Sequence, residues 1–241
     1  MKIQMRTKVF PIIPSLITFL SLACGIVSIL LSSLGDLRIA GWLIIASYVL
    51  DMLDGLSARK LSVASSFGMQ LDSLVDMVSL GIAPVVLTFH HLLYTSIDML
   101  WVWPFAVLVP AAGAFRLARF NLLPPKETES QDTVGLTIST SGATVSVAVL
   151  ADLVWPGGLL PDGAFIPIMA LVALLMVSTI RFPAIGLIAS NRNRAIALVV
   201  LIGITLVFLP LAVTWLMWEG IYIASGLIRA ILLKRRSNTL S

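Results

Sequence analysis

The sequence predicts an all-α, polytopic membrane bundle, and three observations predict it. Of 241 residues, 59% are apolar and 12% are charged, whereas a soluble domain carries roughly 25% charged residues. The apolar runs are long enough to cross a bilayer, and the alternation expected of strands is absent. The Lys and Arg residues gather on alternate connectors. A mean hydropathy of +1.03 agrees with all three.

Apolar windows place about eight spans, at 12–34, 39–57, 69–90, 99–120, 136–155, 164–181, 195–213 and 215–233. Pro210 and a short connector set the boundary between the last two. The first run follows Lys2, Arg6 and Lys8 as a signal peptide would, but it continues past Cys24 to Leu34 and is interrupted early by Pro11 and Pro14. That pattern predicts an uncleaved first span. No internal repeat divides the chain, so residues 1–241 read as a single membrane domain. One cysteine, Cys24, excludes an internal disulfide and a thiolate metal cluster.

With the N-terminus in the cytoplasm, the basic residues of both termini and of the connectors near Arg59, Arg119, Arg181 and Arg192 fall on the cytoplasmic side. Only Arg38 falls outside, and the outer connectors near His90-His91, Trp155-Pro156 and Trp215-Trp218 have no Lys or Arg. This positive-inside asymmetry predicts an even number of spans with both termini cytoplasmic. The net charge of +4 then reflects topology and anionic headgroups, with Lys234, Arg235 and Arg236 as a juxtamembrane anchor, and not nucleic-acid binding.

Four of the twelve acidic residues, Asp51, Asp54, Asp72 and Asp76, sit inside or at the mouths of the second and third spans. A carboxylate at membrane depth costs roughly 3 kcal/mol even on lenient scales, so a cation or ligand must compensate four of them. Asp51 and Asp54 are three residues apart and Asp72 and Asp76 four, so each pair lies on one helix face. The short connector Lys60 to Phe67 predicts antiparallel neighbours, with Asp51 opposite Asp76 at depth and Asp54 opposite Asp72 nearer the cytoplasm. Such an oxygen-only cluster suits Mg²⁺, Mn²⁺ or Ca²⁺, and two such ions bridging a diphosphate would offset both sets of negative charge. Gly55, Ala58 and Gly68 leave room for a nucleotide, and Arg59 can pair with a phosphate oxygen. A cation-coupled transporter is the competing class, because intramembrane aspartates also mark ion pathways.

The order Asp51-Met-Leu-Asp54-Gly55-Leu-Ser-Ala58-Arg59, eight residues, then Gly68-Met-Gln-Leu-Asp72-Ser-Leu-Val-Asp76 resembles the full signature of the CDP-alcohol phosphatidyltransferase family. The resemblance implies a six-helix catalytic core over residues 10–185, often dimeric, with 195–233 as two additional helices. It implies metal binding by Asp51, Asp54, Asp72 and Asp76, with Asp76 also the general base. Gly55, Ala58, Arg59 and Gly68 would line the CDP and diphosphate pocket. A CDP-linked lipid would be the donor and a small alcohol the acceptor, with the active site facing the cytoplasm.

The acceptor is read from weaker segments. Ser73 to Pro84, Arg116 to Asn121 and Thr179 to Pro183 are similar to the phosphatidylserine synthase branch, which implies serine. Sister enzymes use glycerol 3-phosphate or inositol (phosphate). Serine carries a carboxylate, for which Arg116, Arg119 and Arg181 are candidate partners, with Asn121 as a polar contact. One segment departs from the branch: Gly135-Leu136 is followed by Thr137-Ile138-Ser139-Thr140-Ser141-Gly142, with hydroxyls and no proline. The polar loop Pro124 to Val134 is the longest soluble connector. His90 and His91 read as interfacial, and Trp101, Trp103, Trp155, Trp215 and Trp218 as an outer aromatic belt.

Overall fold

The structure is a computed structural model that describes residues 12–60, 66–122, 132–183 and 192–238, with side chains described from 15–55, 67–122, 132–183 and 196–232. Each predicted span contains a helix: α1 (Ile12–Ser33), α2 (Leu37–Lys60), α3 (Ser66–Asp76) continuing into α4 (Ala83–Leu92), α5 (Met99–Asn121), α6 (Ile138–Val154), α7 (Phe165–Val177), α8 (Arg192–Phe208) and α9 (Leu211–Asn238). Among the described residues, four stretches are long and apolar enough to cross a membrane by themselves: Ser15–Ser33, Phe67–Leu92, Met99–Asn121 and Leu211–Leu232. The sixth predicted span is shorter than expected. α7 stops at Val177, and Arg181–Phe182 leaves the helix as strand β2, pairing antiparallel with β1 (Thr133–Val134). This two-stranded ribbon is the one departure from an all-helical chain among the described residues.

α6 is the axis of the bundle. Residues 141–151 are all buried, and their composition, SGATVSVAVLA, explains how: small side chains let neighbouring backbones close in. The tightest approach is at Gly142, where a Cβ would collide with the Leu80 carbonyl oxygen. Gly142→Val is therefore expected to cost about 1–3 kcal/mol or more through overpacking, read as earlier unfolding in a detergent-solubilised thermal melt. Gly203→Ala on α8, where nothing lies within 4 Å, is the matched control and should leave the melt unchanged.

Leu80 belongs to an irregular stretch. Between α3 and α4 the third rod runs as π-helix from Met77 to Ile82, so that the Ala83 N–H reaches back to the Val78 carbonyl. A π segment carries one extra residue per turn and is concentrated at functional sites. Hydroxyls knit this stretch to α1 and α2. Ser79 donates to the Ser21 carbonyl at 3.2 Å, and the Ser21 and Ser47 hydroxyls meet at 2.6 Å. With no water in the hydrocarbon, such bonds and close packing hold the helices together in place of a hydrophobic drive.

The end of the bundle away from the aspartates is closed by polar contacts. Asp152 accepts from the Leu159 and Leu160 amides at 2.7 and 2.8 Å and meets His91 Nε2 at 3.0 Å. His91 is thus a tied packing residue and not a loose interfacial one. Arg38, the exception to the charge asymmetry, donates to the Leu153 carbonyl near the end of α6 at 2.8 Å. The aromatic belt is also partly corrected. Trp101 and Trp103 are exposed, but Trp215 donates to Glu219 and Trp218 to Thr205, both inside the α8–α9 region.

Candidate active site

α2 packs closely on the π segment and on α4 but hardly touches α3. Among the described residues the two motif helices therefore come closest through the π segment and α4, and the aspartates project into the cleft between α2 and α3. Residues 61–65 of that connector lie outside the described residues, as do residues 124–131 of the polar loop.

Three of the four aspartates converge. Carboxylate oxygens of Asp51, Asp72 and Asp76 all lie within 4.8 Å of one another. Asp76 is buried, whereas Asp51 and Asp72 are partly open to the cleft. Asp54 is buried on the side facing α1, where its Oδ2 accepts from the Thr18 hydroxyl at 2.8 Å. Asp51 thus meets both Asp72 and Asp76, a trio with a flanking fourth member in place of the two matched pairs expected from helix rise. An all-oxygen set of like charges this close, in a protein interior, has the donor chemistry of a hard divalent cation site. These residues fit such an ion.

Gly55, one residue past Asp54, and Gly68, four before Asp72, are half-buried. Ala58 and Arg59 lie on the last turns of α2, and their side chains fall outside the described residues.

The arginines separate into different roles. Arg116 is 6% exposed, and its Nε has no hydrogen-bond partner. It lies where its charge acts on Asp76 and Asp51. Its place follows from packing: one turn earlier on α5, Gly113 fits against Ile138 in the first turn of α6. Arg119, by contrast, is committed to structure. It donates to the Val134, Met176, Val177 and Ser178 carbonyls at 3.1–3.4 Å, closing the end of α7 over the ribbon. Asn121 is tied to α3, exchanging hydrogen bonds with Ser73 beside Asp72. Arg181 is exposed on β2.

Several polar residues inside the bundle were not anticipated from sequence. Thr18 gave no signal, being a small hydroxyl in an apolar run. Tyr48, one turn before Asp51 on α2, reaches toward Thr140 of α6. Glu219 on α9 is 8% exposed, accepts from Trp215 Nε1 at 3.0 Å and has Oε2 without a partner. That carboxylate did have a signal: the cost that singled out the aspartates applies to it as well.

Fold and site together define a polytopic membrane protein with an acidic, metal-competent cleft at one end of its bundle. The chain belongs to the CDP-alcohol phosphatidyltransferase family, whose family model matches residues 11–177, and it is an integral membrane protein. Among its relatives, a CDP-diacylglycerol–serine O-phosphatidyltransferase of Helicobacter pylori (strain J99) is 33% identical over 225 residues, covering 91% of each chain. An archaetidylserine synthase of Methanothermobacter thermautotrophicus is 33% identical over 178 residues, 73% of this chain and 71% of the relative. A CDP-diacylglycerol–serine O-phosphatidyltransferase of Bacillus subtilis is 30% identical over 173 residues, 71% of this chain and 89% of the relative.

Proposed function

We propose that the protein transfers the phosphatidyl group of CDP-diacylglycerol to the hydroxyl of L-serine, yielding phosphatidylserine and CMP in phospholipid biosynthesis. The observation that carries this reading is the convergence of Asp51, Asp72 and Asp76 beside a buried arginine with an unpartnered Nε. The serine headgroup recurring in the names of relatives matched along most of the chain supports the acceptor.

In this reading Asp51, Asp54, Asp72 and Asp76 would hold divalent metal, Mg²⁺ or Mn²⁺, with two ions suited to a diphosphate. Metal bound there would supply charge neutralisation to the diphosphate and to the departing CMP. Gly55, Ala58, Arg59 and Gly68 border the nucleotide. Asp76 takes the proton of the serine hydroxyl as its oxygen attacks the lipid-bearing phosphorus, and the bond from that phosphorus to CMP breaks. Arg116 takes the serine carboxylate, because a guanidinium offers donors only, in a fork that matches a carboxylate. Arg119 and Asn121 act by holding α5 to the ribbon and to α3, with Arg181 at the mouth. The cleft faces the cytoplasm, where the basic connectors lie, and eight crossings with both termini inside account for that asymmetry. A homodimer is the assembly expected of the fold.

Purified protein supplied with CDP-diacylglycerol and Mn²⁺ or Mg²⁺ is expected to release CMP when serine is added. Glycerol 3-phosphate and inositol should release little. CMP release with either of those alcohols and none with serine would overturn the acceptor assignment while leaving the family unaffected.

A further inference from the structure

α1 carries no part of the aspartate motif, yet one of its hydroxyls reaches that motif. Among the described residues of α1, the buried ones are Thr18, Ser21, Gly25, Ser28 and Ser32. They recur at steps of three and four residues and so form one face. That face of small and hydroxyl residues, in an otherwise apolar helix, lies along α2, the helix on which α1 packs most. Much of it is spent on helix contact. Ser28 donates to the Ala40 carbonyl at 2.8 Å, and the Ser21 and Ser47 hydroxyls meet at 2.6 Å. Ser47 and Ser79 both donate to the Ser21 carbonyl, at 3.1 and 3.2 Å. A Cβ at Gly25 would stand 2.5 Å from Ser79 Oγ, so α1 meets the π segment closely there.

Thr18, at the end of this face, differs in its partner. Its hydroxyl donates to Asp54 Oδ2 at 2.8 Å, with Thr18 6% and Asp54 5% exposed. A hydroxyl that only joins two helices can use a backbone carbonyl, as Ser28 does. A hydroxyl on a carboxylate makes the stronger, charge-assisted bond. It also fixes the carboxylate, because anchoring Oδ2 sets the direction in which Oδ1 is offered. Asp54 lies one turn past Asp51 on α2, next to the trio of gathered carboxylates. Carboxylates that hold metal are in turn hydrogen-bonded, and those outer partners tune the affinity of the site.

We propose that Thr18 is a positioning residue for the metal site. It anchors Asp54 through Oδ2, so that Asp54 joins Asp51, Asp72 and Asp76 as a ligand that is already ordered. α1 then serves the site as well as the packing, and a divalent cation is held with help from three helices, not two. The inference rests on the reading of Asp54 as a metal ligand given above.

Thr18→Val keeps the shape of the side chain and removes the hydroxyl. In full-length protein in detergent, with no substrate present, the dissociation constant for Mn²⁺ read from its paramagnetic resonance signal should rise about tenfold. Thr18→Ser, which keeps the hydroxyl, should retain most of the parent affinity. Ser21→Ala removes a buried hydroxyl one turn along but leaves the carbonyl that Ser47 and Ser79 bind, and should not change Mn²⁺ affinity. In an Asp54→Asn background, Thr18→Val should add less than about twofold, because a residue that acts through another is not additive with it. Unchanged Mn²⁺ affinity in Thr18→Val overturns the proposal. So does an equal loss in Thr18→Ser or in Ser21→Ala, or a full further loss on top of Asp54→Asn, each of which assigns Thr18 to packing alone. Should Thr18→Val not fold, Thr18→Ala set against Thr18→Ser makes the same comparison. Asp54→Asn separates the layers. If it leaves Mn²⁺ affinity unchanged, Asp54 is not a ligand and the reading beneath the inference fails; if it weakens binding and Thr18→Val does not, only the present inference fails.

Discussion

Asp76→Asn is expected to lower serine-dependent CMP release by about 10³-fold, within the usual 10²–10⁴ range for loss of a positioned base. The amide is isosteric and leaves the packing of α3 into the π segment intact, but it cannot accept the hydroxyl proton. With Mn²⁺ saturating, the effect should fall on kcat, because the base matters only as the proton moves, while the share of Asp76 in holding the ion is read separately as a higher Mn²⁺ requirement. A thermal melt matching the parent protein would show that the loss is chemical. Retention of near-normal kcat would remove Asp76 from the role of base. The position explains the sensitivity: Asp76 is buried at the last residue before the helix changes pitch, so its carboxylate has little freedom to be replaced by a neighbour or by water.

The second large effect concerns the ion. Asp51 is the member of the trio that bridges the two motif helices, since Asp72 and Asp76 share one rod and Asp51 stands on the other. Asp51→Asn is expected to raise the Mn²⁺ concentration for half-maximal activity by about 100-fold or more, at least as much as losing an outer-sphere partner does elsewhere. The same shift should appear in direct Mn²⁺ binding followed by its paramagnetic resonance signal, without any substrate present. Binding unchanged in Asp51→Asn would exclude it as a ligand. Chelation followed by restoration of Mn²⁺ or Mg²⁺ should abolish and then recover activity in the parent protein, as the charge of three gathered carboxylates requires.

The elements that obey local rules were legible in the order of residues alone. Span positions follow from apolar run length, and the aspartate motif states its own spacing, so the helical spans and their carboxylates could be placed along the chain. What escaped depends on contacts far apart in sequence. The π segment runs through MVSLGI, which is apolar throughout, and no periodicity distinguishes a π from an α turn in such a stretch. Helix rise alone predicted two matched pairs of aspartates, because it could not include the sparse contact between α2 and α3 or the Thr18 hydroxyl that Asp54 accepts from. The four arginine and asparagine candidates looked alike as basic or polar residues at one boundary. Packing separates them: Arg116 is buried beside the carboxylates, and Arg119 is spent on carbonyls from α7 and β1. The last helix seemed outside the catalytic core because the recognisable motifs stop near residue 185, while its Tyr222 and Arg229 reach residues 39 and 97 positions away.

The π turn has an implication for how this rod can change. An extra residue at 77–82 sets the angular phase between the half that bears Asp72 and Asp76 and the half that is wedged against α1 and α6. Deleting one residue there would restore α pitch and swing the carboxylates about 100° around the axis, out of the cleft, with the buried half undisturbed. A one-residue gap or insertion in this stretch of a related chain therefore reports a re-aimed site, even where every motif aspartate is still spelled out.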